Sequence, residues 1–249
     1  MVDIVFVGMV FETFIICIAL ILLILILKKY IELRNRLTLY LFLIFLNIFF
    51  GIVFSWLSKI IVLTTDIDYI YNNPNARYPN TPIYWILLRI VDFRIALDFL
   101  ALSIIFSYIF KVNIFEESNN KAHKIIFYSY AGFTIFFSTF IYERGNTTLD
   151  AFNFFFMFLL VAIIYIPFTM RAITSYKNSK ETFIKKKLLS LVLMSLSFII
   201  VILNFFIDRI LVLMGSPHFT IFYFLAWVWV IIGIIFAYVG YIKPKSKEK

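Results

Sequence analysis

Cysteine is almost absent: Cys17 is the only one in 249 residues, and it falls inside an apolar run. An intrachain disulfide is therefore impossible, and so is a metal site built from cysteines. Histidine is nearly as scarce. His123 and His218 both fall in predicted loops, and no H-E-x-x-H pair is present. A Gly-rich phosphate loop, a serine–histidine arrangement and a G-x-S-x-G elbow are also missing. The sequence offers no catalytic motif, and the expectation is a protein that is not an enzyme and carries no cofactor. Long polar stretches are lacking too. Hydrophobic residues make up 63% of the chain, against roughly 45–50% for a soluble domain. Too few polar residues remain to cover a water-soluble globule, so the chain reads as an integral membrane protein of one domain.

The net charge of +9 does not point to nucleic acid, because most Lys and Arg flank apolar spans, where they set topology and meet lipid headgroups. A spanning helix needs about 20 mostly apolar residues. Seven stretches qualify: 4–27, 38–63, 83–110, 125–142, 151–170, 187–211 and 219–242. The N-terminus has no basic region before its apolar run and no small-residue cleavage site, so it reads as a retained first helix. With the N-terminus outside, the inner segments carry 17 Lys or Arg and the outer ones 3 (Arg77, Arg144, Arg209); Lys59, Arg89 and Arg94 are left inside the membrane. This bias predicts N-outside and C-inside. The expected fold is an all-α, polytopic seven-helix bundle in the cell membrane.

The third span, 83–110, carries Arg89, Asp92, Arg94 and Asp98. Each charge at mid-membrane costs roughly 2.5–3.5 kcal/mol on the insertion scale, so all four need partners. On a continuous helix at about 100° per residue, Arg89 and Asp92 share one face while Arg94 and Asp98 lie opposite. The spacings predict two self-neutralising pairs, Arg89–Asp92 and Arg94–Asp98, on a central helix with neighbours on both sides. Asp98 would lie about 20 Å below the outer end. Glu12, Lys59 and Asp208 fall in the same outer half, and a polar cavity open to the outside would gather them; Lys59 alone could reach water by snorkelling. Asn47 and Asn204 fall near mid-depth. The candidate ligand or ion site is thus Arg89, Asp92, Arg94, Asp98, Glu12, Lys59, Asn47, Asn204 and Asp208.

Other patterns concern packing and contacts. Ser190, Ser197 and Asn204 recur every seven residues in the sixth span, with Asp208 one turn on; Ala226, Gly233 and Gly240 do the same in the seventh. Small and polar stripes in membranes face other helices. Trp227, Trp229 and Tyr223 suit either an interface belt or ligand stacking. Pro167 predicts a bend in the fifth span. Pro74, Pro79 and Pro82 with three tyrosines make 64–82 a candidate outer cap. The clustered cations of Arg171–Lys187 suit an anionic lipid or an acidic protein. The basic tail, 243–249, carries no output domain, so output is expected through a separate partner.

The N-outside, seven-span plan resembles G-protein-coupled receptors, rhodopsins, SWEET-type sugar transporters and the membrane portions of bacterial and archaeal seven-helix sensors, at the level of the plan. The receptor motifs are missing: the third span ends FSYIFK rather than in D-R-Y, and the seventh reads FAYVGYIKP rather than N-P-x-x-Y. A P-Q motif is absent as well. The seventh span also has no lysine for a Schiff base, so retinal is not expected. The basic SKETFIKKKLLSL entry to the sixth span is similar to that of the sensors. That resemblance implies a receptor- or sensor-like module; a transporter of ions, protons or small molecules using Asp98, or a structural subunit of a membrane complex, are the alternatives.

Overall fold

A computed structural model describes residues 2–70, 81–115 and 121–242. Most of the candidate cap (71–80), part of the third connection (116–120) and the basic tail (243–249) lie outside the described residues. The described residues are mostly helical, with no strand among them, and seven of the helices are long and apolar enough to cross a membrane.

Each span begins or ends where local chemistry requires it. Helix α1 covers Val2–Leu33, and the chain turns at Arg34 in the left-handed region. Asn35 then caps α2, Arg36–Thr64, by accepting from the Leu37 amide. Thr81 caps α3, Pro82–Val91, with proline at its first position. Helix α4 is Arg94–Phe115 and α5 is Lys121–Phe136, continued by a π-helical turn at Phe137–Ile141. Gly145, at φ 82°, makes the tight return to α6. Asn146 spends its side chain accepting from Leu149 N at the start of α6, Thr147–Asn178. Pro167 lies inside α6 without ending it. Helix α7 is Thr182–Leu213, and α8 is Ile221–Ala237, followed by a second π turn at Tyr238–Ile242. Between α6 and α7 only 179–181 leave the helix, so the basic stretch Arg171–Lys187 is mostly helical.

The third span is where the structure departs from expectation. It is not one helix. Phe93 takes φ 62°, and the i→i−4 ladder stops between Val91 and Arg94. A phenylalanine in the left-handed region is unusual and costs of order 1–3 kcal/mol, which its surroundings must offset. Below the break, α4 packs between α2 and α6 with α5 alongside, the central place expected of this span.

Small stripes determine the α7–α8 contact. A Cβ added at Gly233 would meet Phe198 and Ser197 at 3.1 and 3.4 Å, and one at Gly240 would meet Leu191 and Ser190 at 3.1 and 3.5 Å. The Ser190/Ser197 face of α7 therefore lies on the glycine face of α8. Ser190 also donates to the Phe236 carbonyl at 2.6 Å.

Candidate functional site

Ten ionisable side chains gather at the end of the bundle that carries the N-terminus. They form three connected groups, bridged by the segments on either side of the α3–α4 break.

The first group joins α1, α2 and α8. Glu12 and Lys59 are fully buried and pair at 2.9 Å. The carboxylate also accepts from Ser55 Oγ at 2.8 Å and from the Tyr223 hydroxyl. Lys59 reaches it because Gly8, one turn earlier on α1, has no side chain: a Cβ there would lie 3.1 Å from the Lys59 Cε. Three rings surround the ammonium, Phe93 at 5.0 Å, Tyr223 at 5.2 Å and Phe219 at 5.4 Å. Such contacts strengthen when water is excluded. Phe93 and Phe219 are both in the left-handed backbone region. Two of the three non-glycine residues with positive φ among the described residues thus hold rings against one lysine, and Tyr69 stacks on Phe93 behind them. The expected snorkelling of Lys59 does not occur: its partners lie inside the bundle.

The second group centres on Asp150, in the first turn of α6, where a carboxylate suits the helix dipole. It accepts from Arg94, the first residue of α4, and from Arg209 of α7 at 3.3 Å. Arg94 lies 3.5 Å from the Tyr142 ring centre. Arg209 also pairs with Asp208 at 2.9 Å. Asp208 accepts from the amide and hydroxyl of Thr220 at 2.9 and 2.6 Å, which fixes the start of α8.

The third group surrounds the π turn of α5. Asp92, at the end of α3, pairs with Arg144 at 3.1 Å, and Arg144 also donates to the Asp68 carbonyl. Thr139 serves two charges: its carbonyl accepts from Arg89 Nε at 2.8 Å, and its hydroxyl donates to Asp98 Oδ2 at 2.7 Å. The last carbonyls of a helix lack intrahelical donors, and a cation there is also favoured by the dipole.

These contacts correct several expectations. Arg89–Asp92 and Arg94–Asp98 are not the pairs formed. Because the helix breaks at Phe93, the relative facing computed for a continuous helix does not apply, and all four residues find partners on other elements. Arg144 and Arg209, counted as loop cations, are drawn into the network, and Arg209 is buried within α7. The polar groups do not line an open polar cavity; they bond to one another. Asn47 and Asn204 join nothing. Each donates back to its own helix, to the Leu43 carbonyl at 2.7 Å and the Ile200 carbonyl at 2.8 Å. Asp98 faces the α5 π turn and does not meet the two asparagines. The residue missed altogether was Asp150. Its position four residues after the helix-capping Asn146, in the first turn of α6, is the local signal that marks it.

Below the network lies a cavity of about 60 Å³ at the meeting of α2, α4, α6, α7 and α8. Its walls are mainly Ile48, Gly51, Ile52, Ala96, Leu97, Leu100, Phe154, Val201, Phe205 and Val230. Ser55, Phe93, Arg209, Tyr223 and Trp227 complete them. Among the described residues no cluster of three or more His, Cys, Asp or Glu could hold a metal. What the arrangement offers chemically is an apolar chamber under a roof of buried ion pairs. No protein-family model, no curated protein and no solved structure matches the chain, so its place is given by its architecture: a multi-pass, seven-helix integral membrane protein.

Proposed function

We propose that the protein is a receptor- or sensor-like membrane module with its N-terminus outside, in which a small ligand occupies the central chamber and shifts the buried ion network above it. The observation that carries this reading is the composition of the chamber wall. Ser55 hydrogen-bonds Glu12, Phe93 and Tyr223 surround Lys59, and Arg209 holds Asp150 and Asp208. A ligand in the chamber therefore touches groups from α2, the α3–α4 joint, α7 and α8 together. A ligand shifts an equilibrium only by contacting the two states differently, and these are the contacts that could differ.

Helix α7 supplies a route for the change. It runs unbroken from Arg209 to Lys185–Lys187 at the opposite end of the bundle, where clustered cations suit an acidic partner or anionic lipid. Ion or proton transport through Asp98 has less support, because Asp98 faces Thr139 rather than the chamber, and Asn47 and Asn204 are engaged with their own helices.

The test combines a thermal-shift screen of small molecules on the purified protein with a spin label at Lys185→Cys, in a Cys17→Ser background. Ligands that stabilise the protein should move the label, and Arg209→Gln should abolish the movement. Ligands that bind without moving the label, or a proton flux in liposomes that vanishes with Asp98→Asn, would overturn the reading.

A further inference from the structure

We infer that a cavity at the end of the bundle opposite the N-terminus seats the phosphate of an anionic phospholipid from the adjoining leaflet. This site is separate from the central chamber and does not rest on the receptor reading. The cavity holds about 110 Å³ where the ends of α1 and α4 meet the start of α2 and the second π turn. A cavity of roughly 150 Å³ accepts benzene, so this one takes a group of about four or five heavy atoms, a phosphate and not a whole lipid. Lys29, Leu37, Thr38, Ile114 and Tyr241 on its wall are partly exposed, whereas Ile26, Leu41 and Phe110 are buried. The cavity therefore opens at the surface of the bundle and closes inward on apolar side chains. Lys29 follows directly on the apolar run that ends at Leu27, the level at which basic residues meet headgroups.

Charge and donors define the occupant. Lys29 donates to the Tyr241 carbonyl, and no carboxylate among the described residues pairs with it. Lys187 of α7 is near enough to repel it and Glu32 to attract it. An ammonium has three donors, so two are left for a ligand. Tyr241, which also borders the smaller space around Ser107 and Tyr165, has a buried hydroxyl with no hydrogen-bond partner. A buried donor left unmade is costly; a ligand oxygen supplies the acceptor, and the Thr38 hydroxyl adds a third polar group. The ion network at the other end of the bundle is balanced, five cations against five carboxylates. This end is not: between the first two spans Lys28, Lys29, Arg34 and Arg36 stand against Glu32 alone. What completes the cavity is an anion with several acceptor oxygens, and basic pockets between spanning helices hold acidic lipid heads. The apolar edge at Leu37 and Ile114 favours a lipid over a free anion, because it leads from the donors toward the bilayer, where the acyl chains lie.

The experiment is native mass spectrometry of the full chain in dodecylmaltoside micelles, titrated with dioleoyl phosphatidylglycerol and dioleoyl phosphatidylcholine, with inorganic phosphate and hexaglutamate as competitors. One phosphatidylglycerol should bind at least several-fold more tightly than phosphatidylcholine, and neither competitor should displace it at equal concentration. Lys29→Gln should weaken it roughly 10- to 100-fold, the worth of a hydrogen bond to a charged group, and Tyr241→Phe roughly 2- to 10-fold, the worth of a neutral one. Lys180→Gln, at an exposed cation outside the cavity wall, should leave the affinity unchanged. Ile114→Trp fills the cavity from its partly exposed edge and should remove the lipid; it serves as the second variant should Lys29→Gln not fold.

Phosphatidylcholine binding as tightly as phosphatidylglycerol overturns the anionic head. Phosphate or hexaglutamate displacing the lipid at equal concentration overturns the lipid as the ligand, in favour of a free anion or an acidic protein. Equal losses in Lys180→Gln and Lys29→Gln show diffuse attraction to a basic surface and overturn the cavity. Affinity unchanged in Lys29→Gln, in Tyr241→Phe or in a folded Ile114→Trp protein places the phosphate elsewhere and overturns the inference.

Discussion

The Glu12–Lys59 pair allows a sharp thermodynamic test. Both side chains are fully buried, and the carboxylate takes Lys59 at 2.9 and 3.0 Å, Ser55 at 2.8 Å and the Tyr223 hydroxyl. Glu12→Gln keeps the shape of the group but leaves the ammonium without a counter-charge. Breaking a buried pair on one side typically costs about 3–5 kcal/mol. At roughly 2–4 °C per kcal/mol for a chain of this size, the midpoint of thermal unfolding should fall by about 10 °C. Adding Lys59→Met removes the stranded charge and leaves a thioether among Phe93, Phe219 and Tyr223, where sulfur–aromatic contact is favourable. The glutamine can still accept from Ser55 and Tyr223. The double variant should recover to within about 1–2 kcal/mol of wild type, since exchanging a whole buried pair for uncharged groups is often near neutral. A double-mutant cycle in detergent, followed by tryptophan fluorescence, measures the coupling, expected at about 2–3 kcal/mol or more. If the two single losses simply add, the pair is not the coupled lock described here.

Three further outcomes follow from the same contacts. Asp150→Asn, which leaves two arginines short of one carboxylate, should destabilise by about 3–5 kcal/mol, whereas Asp98→Asn, which keeps an acceptor for Thr139, should cost about 1 kcal/mol or less; thermal midpoints of the two variants decide the order. Gly233→Leu should drive side-chain atoms into Phe198 and Ser197 and cost about 1–3 kcal/mol, read as a lowered midpoint without loss of helical circular dichroism. Burial in the α7–α8 connection and the neighbouring Arg209, opposed by Asp208, lower the pKa of His218 to about 4. Its neutral form is favoured by folding, so the unfolded chain takes up the proton first as pH falls below about 6.5. Stability should therefore decline between about pH 6.5 and 4 and no further on this account. With the ring about half exposed, the effect is roughly 1 kcal/mol after screening. His218→Gln should remove that part of the slope.

Much of the bundle could be read from the chain because hydropathy and periodicity are local. The seven spans follow from runs of about 20 apolar residues, and the contact between α7 and α8 follows from Ser190 and Ser197 recurring in step with Gly233 and Gly240. The partners of the charges could not be read in this way. Glu12 meets Tyr223 across 211 residues, and Arg94 meets Asp150 across 56, so nothing in local spacing points from one to the other. The i,i+3 and i,i+4 spacings within the third span were a plausible guide on an unbroken helix. The break at Phe93 undid them, and neither proline nor glycine marks it. It is held by tertiary contacts: Tyr69 stacked on the ring and Lys59 beneath it.

The balance of five cations and five carboxylates also fixes how the protein meets an electric field. A charge crossing the whole membrane exchanges about 2.3 kcal/mol with each 100 mV of potential. A network of zero net charge that moves as a unit exchanges nothing, whatever its depth. The resting potential of the host membrane therefore neither drives nor opposes a rigid shift of this layer; it acts only on motions that pull partners apart, such as Lys59 from Glu12 or Arg94 from Asp150. Membrane voltage therefore acts on separations within this layer and not on the layer as a whole.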